Sequence, residues 1–161
     1  MGTIAILTET YKDYNTTIEI KDDCEKFVIV NPLGKENIEI SVEPDDIDGD
    51  GIIFSFSPHH AHFDADVDSL IGYINHYLKE EYVSVGIYKN DILFSGCSHH
   101  GDIDTSSGEA ILRSITRDSP YYHGSNTTMY QVYYEQLKGC DVRCSIRGWN
   151  GTSDKDFNFV L

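Results

Sequence analysis

Short stretches in which apolar and polar residues alternate are the feature that most constrains how this 161-residue chain can fold. Alternation with a period of two is typical of β-strands that bury one face and expose the other to water. The pattern recurs along most of the chain. It occurs at residues 17–21, 27–30, 38–43, 52–56, 83–87, 130–134 and 142–146. We therefore expect a mostly antiparallel sheet in which Ile18 and Ile20, for example, belong to the buried face.

Turn-forming residues separate many of these stretches at the short spacings of antiparallel hairpins. The turns are at residues 31–34, 48–51, 89–91 and 138–139. We expect the sheet to be largely a meander of hairpins.

One segment has a different period, because its apolar residues recur every three or four positions. They are Val67, Leu70, Ile71, Ile74, Tyr77 and Leu78. This spacing predicts one principal amphipathic helix over about residues 66–79, capped by Asp64 or Asp66 and packed on one face of the sheet. A shorter helix is predicted to begin at Ser106–Ser107, because Ser106 and Glu109 have the spacing of a capping box. The sequence thus predicts an α+β fold.

The length and charge of the chain limit its organisation and its partners. A chain of this length fits a single domain, which we expect to span residues 1–161. The chain has 12 Lys and Arg residues against 27 Asp and Glu residues, a formal net charge of −15. That charge repels nucleic acids and anionic lipids and attracts basic partners or cations. We expect no nucleic-acid or membrane partner.

The chain lacks the sequence signs of export or membrane insertion. No apolar run reaches the ~18 residues of a membrane span, and residues 1–5 lack a basic start followed by an apolar stretch. We expect a cytoplasmic location. The four cysteines are sparse and lack paired CxxC spacing, so we expect neither a disulfide framework nor a zinc knuckle, and no cofactor.

The segment Asp46–Ile53 matches the first eight positions of a calcium loop, where alternating carboxylates converge on the ion. Ser57 stands at position twelve, where the loop needs a bidentate Glu, and both flanks alternate as strands rather than helices. A solvated acidic hairpin loop is therefore the prediction, with a weak cation site of another kind as the alternative. Glu43 and Asp45 extend the same acidic patch.

A run of histidines and aspartates precedes the principal helix at residues 59–66. His60, His62 and Asp64 resemble the HxHxDH run of the metallo-β-lactamase fold, in which histidines hold zinc and the Asp helps to activate water. Ala65 replaces the final His of that run. The alternative to a metal site is a loop between strand and helix whose polar side chains cap the helix or contact a partner.

Local signatures of nucleophilic catalysis, phosphate binding or dinucleotide binding are missing from the sequence. Tyr121 and Tyr122 lie in a segment that the sequence predicts to be a loop. Tyr side chains bury a large area and keep a polar hydroxyl, so these two could anchor a protein partner.

The segment 54–64, together with the helix and the hairpin 82–96, resembles small bacterial immunity proteins of polymorphic toxin systems, over about 45 residues. In those families a strand ends in a His-x-His-Phe-Asp-type turn before an amphipathic helix and a meander rich in Tyr and Gly. The resemblance implies a non-enzymatic inhibitor that neutralises a cognate toxin by direct binding. The net negative charge of this chain would complement a basic toxin.

On this hypothesis the acidic side chains stand in for the phosphates of a nuclease substrate, with the two tyrosines as further contacts. The expected partner-binding residues are Glu43, Asp45, Asp46, Asp48, Asp50, Tyr121 and Tyr122. Two alternatives remain open at this stage. One is a metal-dependent hydrolase that uses His60, His62 and Asp64, and the other is a non-enzymatic ligand-binding module.

Overall fold

A computed structural model describes residues 2–21, 24–43, 51–64, 66–116 and 125–161. The described residues form an α+β fold with two antiparallel sheets and four α-helices, which confirms the predicted class. The elements in chain order are α1 (Thr3–Thr10), β1 (Thr16–Lys21), β2 (Cys24–Ile29), β3 (Ile38–Val42), β4 (Ile52–Phe56), β5 (His59–Phe63), α2 (Val67–Leu78), β6 (Tyr82–Lys89), β7 (Ile92–His100), α3 (Gly108–Thr116), α4 (Met129–Leu137), β8 (Asp141–Arg147) and β9 (Lys155–Val160).

The first sheet is a five-stranded meander in the order β1-β2-β3-β4-β5, as the hairpin spacing predicts. Its inner face is apolar, and one row across four strands consists of Phe27, Ile40, Phe54 and Ala61. Helices α1 and α2 contribute side chains to the core on this face, including Leu7. Burial of this row against the two helices holds the sheet in register, because a slip by one residue would expose every core side chain.

The helix predicted over residues 66–79 is confirmed as α2. Its stripe is in the core, since Leu70, Ile74 and Tyr77 are fully buried. Asp66 is the N-cap, and its carboxylate accepts hydrogen bonds from the Ser69 N–H at 3.0 Å and the Ser69 hydroxyl at 2.6 Å. These bonds lower the pKa of Asp66 and fix the point at which the chain leaves β5 and becomes helical.

The second sheet has the order β7-β6-β8-β9, so β8 returns beside β6 and the sheet is not a simple meander. Its apolar face packs against α3 and α4 around a second core that includes Val85, Ile87 and Cys144. The prediction that the other face of β6 is exposed to water is wrong, because Ser84 on that face is fully buried.

Glycines explain how the first half of the chain covers that face. Gly86 and Gly96 are directly opposite each other on β6 and β7. A Cβ atom on Gly86 would lie 2.6 Å from Pro58 Cγ, and one on Gly96 would lie 2.5 Å from the Pro58 carbonyl oxygen. The absence of both side chains lets the β4–β5 turn pack directly on the second sheet.

Two sequence predictions about secondary structure are wrong. Residues 59–63 form strand β5 rather than a loop, because inward Ala61 and Phe63 alternate with outward histidines. Residues 130–134 lie in helix α4 rather than in a strand. Thr128 and Gln131 form a capping box that starts this helix, so the turn predicted at residues 138–139 instead joins α4 to β8.

Two helices differ from expectation in other ways. Helix α3 is the short helix predicted near Ser106–Ser107, but Ser107 caps it, since its hydroxyl accepts from the Ala110 N–H at 3.1 Å. Ser106 instead donates its N–H to Asp104. Helix α1 has no counterpart in the sequence prediction, although Leu7 is fully buried in the first core.

Candidate functional site

Three connections of the first sheet lie at the same end of its strands. Strands β1, β3 and β5 run in one direction and their partners β2 and β4 run in the other. The chain segments at this end are 19–26, 43–51 and 64–68, which together we call the acidic end. Strand order therefore brings together segments that are far apart in the sequence.

Carboxylates are concentrated in the acidic end. It holds twelve of the 27 Asp and Glu residues of the chain but only two of its 12 basic residues, Lys21 and Lys26. The acidic residues are Glu19, Asp22, Asp23, Glu25, Glu43, Asp45, Asp46, Asp48, Asp50, Asp64, Asp66 and Asp68. Those at 22–23 and 44–50 are counted by sequence position, because these residues lie outside the part of the chain that the structure describes.

The described residues of the acidic end are anchored by backbone contacts. The Glu43 N–H donates to the Gly51 carbonyl oxygen at 3.0 Å, so the two flanks of segment 44–50 meet at the end of β3 and β4. Glu43 and Asp64 are exposed. Asp66 and Asp68 lie at the positive end of the α2 dipole, where negative charge is stabilising.

The basic side chain described at this end is already neutralised. Lys26 Nζ lies 2.6 Å from a Glu39 carboxylate oxygen on the neighbouring strand. The hydrogen bond to Glu39 raises the pKa of Lys26, and the nearby Glu19 charge acts in the same direction. Lys26 therefore does little to offset the charge of the exposed Glu43 and Asp64, whose field extends into solvent.

Of the predicted partner-binding residues, the structure describes Glu43 alone. It places this residue, exposed, at the acidic end. The remaining six are outside the described ranges, so their roles stay predictions. They are Asp45, Asp46, Asp48, Asp50, Tyr121 and Tyr122.

The predicted metal ligands His60, His62 and Asp64 do not converge. His60 and His62 occupy alternate, outward positions of β5, and Asp64 follows the end of the strand. The ring centroids of His60 and His62 are 5.4 Å apart. Residues four apart on an extended strand are separated by about 13 Å. Within the described ranges, no group of three or more His, Cys, Asp or Glu side chains could hold a metal ion. The metal site is an alternative based on a turn at these residues, and the structure has strand β5 there instead.

His59 has a different environment from the other histidines of the run. Its side chain points inward, and its Nε2 atom lies 2.8 Å from the Tyr73 hydroxyl on α2. Its backbone N–H donates to the Ser84 hydroxyl at 3.2 Å. Burial lowers the pKa of His59 to about 4, with a smaller effect from His60, so the ring is neutral at pH 7. This histidine joins the two sheets rather than forming an open site.

The exposed edge of the first sheet is not evident from the sequence. The prediction that Ile18 and Ile20 are buried is wrong, because their side chains are 51% and 73% exposed. The alternation at 17–21 shows that these residues share a face but not that their strand lies at the edge of the sheet.

Comparison with known proteins gives no relative for this chain: no family model matches, and neither curated proteins nor solved structures give a significant match. None of the helices that the structure describes has both the length and the apolar character needed to cross a membrane.

Proposed function

We propose that this chain is a non-catalytic inhibitor of the immunity-protein type, which neutralises a basic protein toxin by binding it. The observation that carries the proposal is the acidic end, where strand order brings together the described flanks of three segments whose sequences hold twelve carboxylates and two basic residues. A basic enzyme that acts on phosphates presents the complementary charge.

In the proposed mechanism the chain first attracts the toxin electrostatically and then blocks the toxin's substrate-binding site. Carboxylates at one end of the sheet would raise the local concentration of a cationic partner and orient it before contact. After contact, they occupy the basic side chains that would otherwise hold substrate phosphates. The partner is then inhibited without any chemical step by this chain.

The test has two stages. The tagged chain is used to capture proteins from its source cells at low and moderate salt, and each captured candidate is purified. Each candidate is then assayed for toxicity on expression and for nuclease activity, with and without one equivalent of this chain. We expect at least one basic candidate to be toxic and to be inhibited at a 1:1 ratio.

A charge variant links the inhibition to the acidic end. The variant carries Glu43→Gln with Asp45, Asp46, Asp48 and Asp50 each replaced by Asn. The matched control neutralises five exposed carboxylates elsewhere, at Asp13, Glu36, Asp91, Glu135 and Asp141. We expect the first variant to protect cells poorly and the control to protect them fully. If no captured protein is inhibited, or the captured toxin is acidic, the proposal is wrong.

A further inference from the structure

Strand β1 has a free backbone edge. It pairs with β2 on one side and has no other strand neighbour in the described part of the chain. Asn15 and Val30 are a hydrogen-bonded pair, since the Val30 N–H donates to the Asn15 carbonyl oxygen at 2.8 Å. Pairs of this kind alternate along an antiparallel ladder, so the next are at Thr17 and Glu19. The backbone groups of Ile18 and Ile20 therefore point away from the sheet.

The same two residues carry exposed apolar side chains. Ile18 and Ile20 are 51% and 73% exposed, and Tyr14, just before the strand, is 44% exposed. Ile18 also lines a groove with Ile4 and Ala5 of α1. Helix α1 lies over β2 and leaves this groove open along β1. Free backbone donors and acceptors thus lie next to an apolar strip, which is what an added strand needs.

Two of the other outer strands, β5 and β9, are more protected. β5, at the opposite edge of the first sheet, packs against β7, where the Pro58 carbonyl oxygen is close to Gly96. β9 is covered by the start of α3, because Gly108 packs directly on the Phe159 ring. Within the described ranges β1 has neither kind of cover, and it carries no proline or inward-pointing charge, which are common protections of edge strands.

We infer that the β1 edge binds an extended basic segment of the partner protein, which adds a sixth strand to the first sheet. The inference rests on the proposed function for the identity of that partner. Apolar side chains of the added strand would lie on Ile18, Ile20 and the groove. The alternate side chains would lie beside Glu19, where a basic residue is favoured.

Charge favours this occupant over a second copy of the chain. Each copy carries a formal charge of −15, so two copies repel each other. A symmetric pairing that joins Ile18 to Ile20 of the other copy would also place Glu19 directly opposite Glu19, which is destabilising. Glu25, an exposed carboxylate that also lines the groove, adds to the attraction for a basic segment.

Two synthetic peptides of identical composition test the inference by fluorescence anisotropy. One alternates Lys and Val over nine residues, and the other groups the same residues into a Lys block and a Val block. The protein variants are Ile18→Pro, which removes an outward N–H without breaking the ladder to β2, and Ile20→Lys. Val160→Lys is the control, because Val160 is 66% exposed on β9, an outer strand of the second sheet, and the charge change is the same.

We expect the alternating peptide to bind at least about tenfold more tightly than the block peptide, because only the former can place Val on one face of a strand. Ile18→Pro and Ile20→Lys should each weaken binding by about tenfold, and Val160→Lys should leave it unchanged. Hydrogen exchange by NMR should show the Ile18 and Ile20 amides protected only with the alternating peptide.

Equal binding of both peptides, or binding unaffected by both edge variants, would overturn the inference. So would a wild-type dimer in light scattering that Ile20→Lys abolishes, because the occupant would then be a second copy. If a captured toxin is inhibited equally by wild type and Ile20→Lys while the alternating peptide fails to bind, the edge inference is wrong and the proposed function stands. If the peptide binds as expected but no basic protein is neutralised, the proposed function is wrong and the edge inference stands.

Discussion

His59 Nε2 and the Tyr73 hydroxyl lie 2.8 Å apart and join the start of β5 to helix α2. The backbone of the same histidine bonds to Ser84 on the second sheet, so one residue connects three elements. The neutral imidazole fits this buried position, and a protonated ring would not.

The environment of His59 predicts that the folded chain loses stability in acid. Burial lowers the pKa of His59 from 6.5 to about 4 in the folded chain, so between these values the unfolded chain binds more protons. Unfolding free energy should therefore fall as pH decreases from about 6.5 to 4. The full shift corresponds to about 3 kcal/mol, and solvent screening of this partly exposed ring reduces the expected loss to about 2 kcal/mol. Urea unfolding at several pH values should show a shallower pH dependence for His59→Gln than for wild type. The exposed His62→Gln serves as control, and equal slopes for wild type and His59→Gln would contradict the account.

The close approach of Pro58 to Gly96 predicts that a side chain added at position 96 will disrupt the packing between the two sheets. Gly96→Ala should lower the unfolding free energy by about 1–3 kcal/mol, because the new Cβ would meet the Pro58 backbone. Gly72→Ala is the matched control. Gly72 lies within α2 with open space around it, so this change should stabilise by about 0.5–1 kcal/mol. Denaturant unfolding of both variants checks the pair, and a neutral Gly96→Ala would show that the two sheets do not pack closely there.

Glu80 predicts coupling between the end of α2 and the loop that holds Trp149. Its carboxylate accepts from the Asn150 N–H at 2.8 Å and from the Thr152 hydroxyl, and Trp149 is buried in the first core. Glu80→Ala should cost about 1–2 kcal/mol and change the fluorescence of this single tryptophan. Glu81→Ala removes an exposed pair with His76 and should cost under about 0.5 kcal/mol. Unchanged stability and fluorescence in Glu80→Ala would contradict the coupling of α2 to this loop through Glu80.

Local patterns predict some elements well and others poorly, for physical reasons. Helix α2 is predictable because a long apolar stripe and the Asp66 cap agree. The residues of α4 are ambiguous, because Tyr130, Val132 and Tyr134 fit a period of two while Thr128 and Gln131 favour a helix start. Strand β5 is difficult to predict from the sequence, because its outward positions are histidines, which match a loop or a metal site equally well.

The candidate site depends on information that no local pattern contains. The carboxylates of the acidic end are visible in the sequence, but the strand order of the first sheet is what brings the described flanks of their segments to one end. The exposure of Ile18 and Ile20 likewise follows from the position of β1 at the edge and the limited cover by α1. Register and strand order come from tertiary packing, which a single sequence does not specify directly.

Steering by the acidic end acts on association, so the rate of association with a captured toxin is the first quantity to measure. Rates for wild type, the five-site acidic-end variant and the five-site control would be measured at low and moderate salt. We predict that the acidic-end variant associates at least about tenfold more slowly at low salt, and that the control stays within about twofold of wild type. Equal rates for all three proteins, or a rate for wild type that does not fall with added salt, would contradict the account.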